Sequence, residues 1–452
     1  MLTKELDHKI LQIAVPSIVS NMTVPLLGLV DTAITGHLGE AAYIAAIAVG
    51  TSIFSLCYWV FSFLRMGTGG LTAQAFGRGS WRDCCECLRK PLIIAMIAGL
   101  GIIALQMFIA DAALWLMDTT SNVEHWARVY FHILVWGAPA NLALSVFNGW
   151  LIGMQDARSP MFIAVGQNVL NIVVSSVLVF GFGWKVEGVA TGTLVAQWAG
   201  FAAACYFIVQ QFKKHRNTMC EKASATGLEA EALSESTPLG WGRFFNVNRD
   251  IFLRTVCLIA VMFSFTAFGA RQGEITLAVN ALLMQMFMFV SYVMDGFAYA
   301  GEALGGNFLG ARNAAGLSAL TRRLFVWGGA MSLLFSILFV VGGDIFVGIL
   351  TDNAEVRTAA SGFLWAVQLI PLVSMAAFIY DGIFIGTTST REMLISIAIA
   401  TLLYFVVALS ADSLSAFSLN HNDCLWCAFL AYLFTRGGVQ HLLMRKIKAR
   451  HF

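Results

Sequence analysis

What this 452-residue chain has little of is charge. Asp, Glu, Lys and Arg together make up 12% of it, against 58% hydrophobic residues and a mean hydropathy of +0.75. A soluble globular protein is about one quarter charged, so the balance excludes one and indicates a polytopic membrane protein. Catalytic signatures are missing too. No P-loop G-x-x-x-x-G-K-[ST] is present, so ATP does not drive the chain directly, and no H-E-x-x-H, G-x-S-x-G or dinucleotide fingerprint stands in a suitable context. The glycines of Gly67–Gly70 end a membrane helix and follow no strand. Neither enzyme activity nor a cofactor is expected. A net charge of +2, without a basic patch interleaved with aromatics, gives no reason to expect nucleic acid. No secretory signal is evident, because the first apolar segment is too long, holds two prolines and lacks a cleavage site. The cysteines are scattered. Cys84, Cys85 and Cys87 fall in what reads as a cytoplasmic loop, where thiols stay reduced, and they lack the histidines and spacing of a metal site. Cys424 and Cys427, at the start of the last span, read as ordinary apolar helix residues.

The stretch around which the rest is organised is Ala14–Glu40, AVPSIVSNMTVPLLGLVDTAITGHLGE. It is long and apolar enough to cross a bilayer, yet it carries Asp31 in the lipid core. At about 100° per residue, Ser17, Ser20, Asn21, Gly28 and Thr35 lie within about 80° of that aspartate, and the opposite side is Ile, Val and Leu. A carboxylate at mid-membrane costs roughly 2.5–3.5 kcal/mol on insertion scales. That is tolerable when the acid faces protein or water and has a use, and a carboxyl in such a setting can change protonation state near neutral pH. Six residues separate Asp31 from His37 at the outer end, about 9 Å along a helix, which puts it in the extracytoplasmic half.

Apolar runs of spanning length occur at roughly 11–36, 43–73, 91–115, 127–152, 160–183 and 188–212, then at roughly 250–270, 276–309, 323–350, 359–388, 392–411 and 424–443. Twelve transmembrane helices are therefore expected, in an all-α protein. Of the 28 Lys and Arg, only Arg128, Lys185, Arg271 and Arg357 fall in loops of odd index, and Arg65 lies within a span. The others are assigned to the N-terminus, the even loops and the C-terminal RKIKAR, which puts both termini in the cytoplasm. The one extended polar segment, 213–248, reads as a cytoplasmic linker between an N-terminal lobe of six spans (1–212) and a C-terminal lobe of six (249–452).

The lobes look like copies. FNGWLIGMQDAR at Phe147–Arg158 matches YDGIFIGTTSTR at Tyr380–Arg391 at an offset of 233, and TAITGHLGE at Thr32–Glu40 matches TAFGARQGE at Thr266–Glu274 at 234. Six spans per copy keep both in the same orientation, so the copies are parallel repeats about an axis along the membrane normal. Such folds bind substrate between the halves and alternate access by rocking. The partner of Asp31 is Phe265 and that of Asp381 is Asn148, as an ion site confined to one lobe would leave behind.

Other polar residues stand inside spans. On the fifth, Asn168, Asn171 and Ser175 share one helix face; on the sixth, Thr193 and Gln197 stand one turn apart. Amides and hydroxyls can ligate sodium or relay hydrogen bonds to a protonated carboxyl, and they also glue membrane helices together with no other role. The eighth span carries Met284, Met288, Ser291 and Asp295 on one face, with Glu302 seven residues on. A methionine face suits poorly discriminating binding, and equally ordinary packing. Asp381 on the tenth span is a further buried acid, and Arg65 a candidate counter-charge for one of these acids.

At this point the sequence resembles the MATE family of multidrug and toxic compound extruders, most closely its DinF branch. The likeness rests on VDTAITGHLG in the first span, YVMDGFAYAGEALGGNFLGARN at Tyr292–Asn313, NRDIFLRT at Asn248–Thr255 and YDGIFIGTTSTREM at Tyr380–Met393. It implies two six-helix bundles and antiport of organic cations or other amphiphiles against inward H⁺ or Na⁺. By motif, Asp31 resembles the first-span acid of the family's N-lobe site, Asn171 the nearby fifth-span amide, Thr193 the sixth-span hydroxyl, and Asp381 the tenth-span acid of the sodium-driven branch. Archaeal members carry a second acid where this chain has Ser175, so protonation of Asp31 is favoured over Na⁺ ligation. The expectation is a monomeric exporter of small amphipathic substrates in the bacterial inner membrane, coupled to H⁺. Two rivals stand against it. A lipid-linked oligosaccharide flippase would show a strongly cationic cavity, whereas intramembrane Lys and Arg amount to little beyond Arg65; a receptor or scaffold would not need buried acids.

Overall fold

The computed structural model describes residues 2–36, 40–117, 120–226, 240–410 and 420–451. His37, the marker from which the depth of Asp31 is counted, lies outside them, as does 227–239 of the polar segment. Among the described residues all regular structure is helical. The chain begins with α1 (Leu2–Gly36), followed by α2 (Ala41–Val60) and α3 (Phe63–Gly77), which a one-turn break at Phe61 and Ser62 separates. Next come α4 (Trp81–Ala104) and α5 (Gln106–Met117), then α6 (Ser121–Leu134) and α7 (Ala138–Gly153), joined by a 3₁₀ turn at Val135–Gly137. α8 (Arg158–Ser176) widens into a π turn at Val177–Gly181 and is followed by α9 (Val186–Thr226).

The second half holds α10 (Trp241–Ala270), α11 (Glu274–Gly310), α12 (Ala314–Leu350), α13 (Ala354–Ser361), α14 (Leu364–Gly386), α15 (Thr390–Leu409) and α16 (His421–His451). Among the described residues ten rods are long and apolar enough to cross a membrane. With α1 and α16 they make the twelve transmembrane helices of the expected all-α fold. Helix reaches into both ends of the polar segment, since α9 runs on to Thr226 and α10 begins at Trp241.

Burial is inverted relative to a soluble protein. Trp115 is 83% exposed and Val341 79%, while Glu302, Asp381, Arg254, Arg436 and Gln440 are buried. Apolar side chains pointing outward along every rod require a hydrocarbon solvent, and in that solvent polar groups find partners only inside. Helices are the obvious answer, since each satisfies its own backbone.

The repeat is written into the backbone at one offset, 233. Gly79 and Arg312 both take positive φ, +73° and +52°, and so do Gln155 and Thr388, +64° and +52°. After the first pair, Ser80 and Asn313 cap the next helices, accepting from Asp83 N–H at 3.3 Å and Gly316 N–H at 2.7 Å. Ser80 N–H donates to Ala75 O and Asn313 N–H to Phe308 O; Asp156 N–H donates to Leu151 O and Ser389 N–H to Phe384 O, each pair one repeat apart. The same spacing governs packing. α7 meets α3 where Gly149 and Gly153 lie on the carbonyls of Arg65 and Gly69, and α14 meets α11 where Gly382 and Gly386 lie on those of Ala298 and Glu302. Those glycines recur because only hydrogen fits between backbones at these crossings.

The described chain forms two compact units, Val19–Phe244 (the N-unit) and Phe245–Phe452 together with Met1–Ile18 (the C-unit). α1 belongs to the C-unit up to Ile18. There Asp7 accepts from Arg323 Nε at 2.6 Å, from its Nη2, and from Trp327 Nε1 at 3.1 Å. Cys84, Cys85 and Cys87 stand in the first turns of α4, not in a loop. Cys84 and Cys87 are buried with Leu71, Ala75 and Phe244, because the capped helix starts at Trp81, well before the apolar run that marked it in the sequence.

Candidate functional site

In the N-unit, α8 and α9 bring two of the expected residues into direct contact. Asn171 donates through Nδ2 to Thr193 Oγ1 at 2.8 Å, and that hydroxyl donates to the Val189 carbonyl at 3.0 Å. Ser175, one turn on from Asn171, is fully buried against Gly192, where a Cβ would come within 2.8 Å of the Ser175 amide nitrogen. The π turn begins two residues later, a widening of the kind often found beside functional positions. Asn168 points elsewhere and donates to the Thr23 carbonyl of α1 at 3.1 Å, fixing α1 to α8. Gln197 is buried against the 3₁₀ turn at Gly137, which has no side chain to displace it.

Asp31 lies on the half-buried side of α1. Its Oδ1 is enclosed and has no hydrogen-bond partner among the described residues, as are Asn171 Oδ1 and Ser175 Oγ. The link from Asp31 to the amide and hydroxyl passes through a residue the sequence reading missed. Tyr130 of α6 is buried and interacts electrostatically with Asp31, with the Thr51 and Thr193 hydroxyls near its own. A tyrosine inside an apolar span was the only available signal. Gly50 of α2 makes room for its ring: a Cβ there would stand 3.0 Å from Tyr130 Cε1. Phe265, the repeat partner of Asp31, instead packs edge-on to Trp426 at 4.9 Å and beside Phe429 at 5.4 Å. Where one copy holds an acid, the other holds an aromatic core.

In the C-unit, Asp381 of α14 is 5% exposed and receives the Nη2 groups of Arg254 (α10) and Arg436 (α16) on Oδ2, and Gln440 Nε2 on Oδ1 at 2.5 Å. One reading of the sequence is corrected here: intramembrane cations are not confined to Arg65, since Arg254 and Arg436 are the counter-charges of Asp381. Arg254 falls inside the seventh span as read from the sequence, about 250–270, yet the tally of basic residues assigns it to the loops. α10 begins at Trp241, so Arg254 lies about 20 Å inside the helix. Arg436 falls inside the twelfth span, about 424–443, yet is grouped there with the basic C-terminus; α16 (His421–His451) buries it. Buried charges must be paired, and these are. Asp295 adds a second carboxylate in electrostatic reach of Arg436. Met284, Met288, Ser291 and Asp295 of α11 are all half-buried, a continuous stripe between the core side of the helix and its exposed side. Glu302 is fully buried further along. No group of His, Cys, Asp and Glu suited to a metal occurs among the described residues.

Known proteins share this pattern. A family model described as MatE matches residues 16–177 and 251–409, once in each copy of the repeat. DNA damage-inducible protein F of Escherichia coli is 36% identical over 446 residues, covering 99% of this chain and 93% of that protein. Multidrug resistance protein MdtK of Proteus mirabilis is 25% identical over 419 residues, covering 90% and 87%. Among solved structures, an outward-facing multidrug resistance MATE family transporter superposes with a TM-score of 0.83 at 17% identity, covering 98% and 96% of the two chains. A Vibrio cholerae MATE transporter in the bent form gives 0.81 at 16%, covering 99% and 98%. This multi-pass membrane protein, with its twelve helices in two repeated bundles, belongs to the MATE family of multidrug efflux transporters and to its DinF branch.

Proposed function

We propose that the chain is an antiporter that exports small amphipathic or cationic compounds in exchange for inward H⁺, with Asp31 the group that takes up and gives back the proton. One observation carries this reading: Asp31 Oδ1 is enclosed in the N-unit without a hydrogen-bond partner among the described residues. A carboxylate oxygen so placed lacks a donor, and a proton supplies one. Asp381, the other acid expected from the family likeness, is held by two guanidiniums and an amide, which favour its charged form over a protonated one. Tyr130 and the hydrogen-bonded pair of Asn171 and Thr193 then form the polar cluster that registers the change at Asp31, each able to reorient a donor or acceptor. Na⁺ is the less favoured ion, since the N-unit offers one carboxylate, with Ser175 in place of a second. The half-buried stripe of Met284, Met288, Ser291 and Asp295 supplies adaptable apolar surface with one negative charge, suited to organic cations of varied shape. Relatives named for multidrug resistance support that class. We place both termini in the cytoplasm of a bacterial inner membrane and the working form as a monomer.

Proteoliposomes loaded with a fluorescent organic cation test the reading. A pH gradient should drive exchange and a sodium gradient of equal size should not. Asp31→Asn should abolish the exchange while leaving the melting temperature of the purified protein unchanged. Undiminished exchange by that variant would remove the mechanism.

A further inference from the structure

Asp381 accepts three side-chain hydrogen bonds in the C-unit, and the identity of its donors matters more than their number. Both guanidiniums on Oδ2 are themselves buried, Arg254 at 7% exposed and Arg436 at 5%. Neither can swing away to water without leaving a naked charge in a low-dielectric interior. Around them stand oxygen atoms with nothing to bind: Gln440 Oε1 and the Tyr432 hydroxyl are buried without hydrogen-bond partners among the described residues. Gln440 is tied to Asp381 through its Nε2, and Tyr432 interacts electrostatically with Asp381, Arg254 and Arg436. A carboxylate, an amide oxygen and a phenolic oxygen are the ligand set that a small hard cation takes. Here the positive charge comes from the chain's own side chains.

We propose that Arg254 and Arg436 are tethered cations that fill a latent alkali-cation site at Asp381, and that they thereby confine ion coupling to the N-unit and keep Na⁺ from serving the C-unit. The charge count agrees. Two arginines face Asp381, with Asp295 in reach of Arg436, so the cluster is neutral and an added Na⁺ would leave it positive. The repeat agrees as well. At the position equivalent to Asp381 the N-unit has Asn148, a neutral amide whose Oδ1 receives no guanidinium or other donor among the described residues. The inference rests on the proposed coupling through Asp31, but its test does not.

The test is a binding measurement on the purified full chain. The melting temperature is compared in sodium chloride and in choline chloride at equal ionic strength, alongside retention of radioactive sodium. The unsubstituted protein should show no difference between the salts. Arg254→Gln with Arg436→Gln leaves Asp381 without a counter-charge, and saturating Na⁺ should then raise the melting temperature by about 2 °C or more. Adding Asp381→Asn should erase that shift. Arg254→Gln alone leaves two carboxylates against one arginine and should give a smaller shift of the same sign, which keeps the proposal testable if the double variant does not fold. A folded variant lacking arginine at 254 with no sodium-specific shift would overturn it, and so would an Asp381-dependent shift in the unsubstituted protein. Export by the unsubstituted protein on a sodium gradient, lost in Asp31→Asn, would sink the proton reading alone, because sodium binding at Asp381 is read separately.

Discussion

Gly386 of α14 rests on the backbone carbonyl of Glu302 in α11, and one repeat earlier Gly153 of α7 rests in the same way on Gly69 of α3. A Cβ on Gly386 would lie 2.9 Å from both the Glu302 carbonyl carbon and the Gly306 nitrogen, and one on Gly153 would lie 2.8 Å from Thr72 Cβ. Backbone cannot step aside as a side chain can. Gly386→Ala and Gly153→Ala should therefore each lower stability by about 1–3 kcal/mol, the usual cost of overpacking. Gly438→Ala, which points into open space, should leave it unchanged or raise it slightly. Thermal unfolding in detergent distinguishes the three.

Thr193 is the junction of the N-unit cluster, taking the Asn171 amide with Tyr130 close by. Thr193→Val keeps the shape and removes the hydroxyl, leaving a buried amide donor without an acceptor. Within a membrane such interhelical bonds are worth about 0.6 kcal/mol on average and about 1.7 at most, so the fold should survive. Export should suffer more than stability, and its dependence on pH should change if Tyr130 and Thr193 report the state of Asp31. A variant with unaltered export and an unaltered pH profile would make the cluster structural glue.

How much of this was legible in the sequence depends on the range of the signal. Length and hydropathy located all twelve rods, and a match of a dozen residues at one offset found the repeat that the positive φ of Arg312 and Thr388 now confirms. The polar face around Asp31 on α1 and those of Asn171 on α8 and Thr193 on α9 followed from helical spacing, but that Asn171 and Thr193 meet did not, because it depends on how α8 packs on α9. Tyr130 did not follow. Its place beside Asp31 depends on the path of α6 past α2 and on a glycine at position 50. Arg254 and Arg436 were missed for a different reason: both lie inside apolar runs read as spans, 250–270 and 424–443, and hydropathy alone says nothing of a buried carboxylate on another helix that would pair with them.

Asp7 gives a pH dependence whose sign can be worked out. Hydrogen bonding from Arg323, with Trp327 adding to it, holds its carboxyl below the ordinary 3.8. A group whose native value is depressed contributes stability above the ordinary value and loses it as pH falls through the native one. Asp7→Asn should therefore melt lower than the unsubstituted protein at pH 7, and the gap should begin to close near pH 3.8 and vanish below the native value. Arg323→Gln should behave in the same way. A gap that is constant from pH 7 to pH 3 would mean that the charge at Asp7 contributes nothing to holding the start of α1 on α12.

Asp381 allows a sharper test of whether a buried charge cluster stabilises the C-unit or merely has to be there once assembled. Removing one partner of a buried pair strands the other, at a typical cost of about 3–5 kcal/mol. Asp381→Asn strands two guanidiniums, and Arg436→Gln leaves Asp381 with Arg254 alone. Each should be strongly destabilising when unfolding is followed in detergent. Asp381→Asn combined with Arg436→Gln should cost clearly less than the sum of the two, because the second change removes a charge that the first had stranded. If the costs simply add, the two residues do not share one charge balance, and the picture of an internally neutralised site fails with it. If instead the triple variant, with Arg254→Gln as well, recovers most of the stability, the cluster contributes little to holding α10, α14 and α16 together. Its value to the protein would then lie in the ion it keeps out.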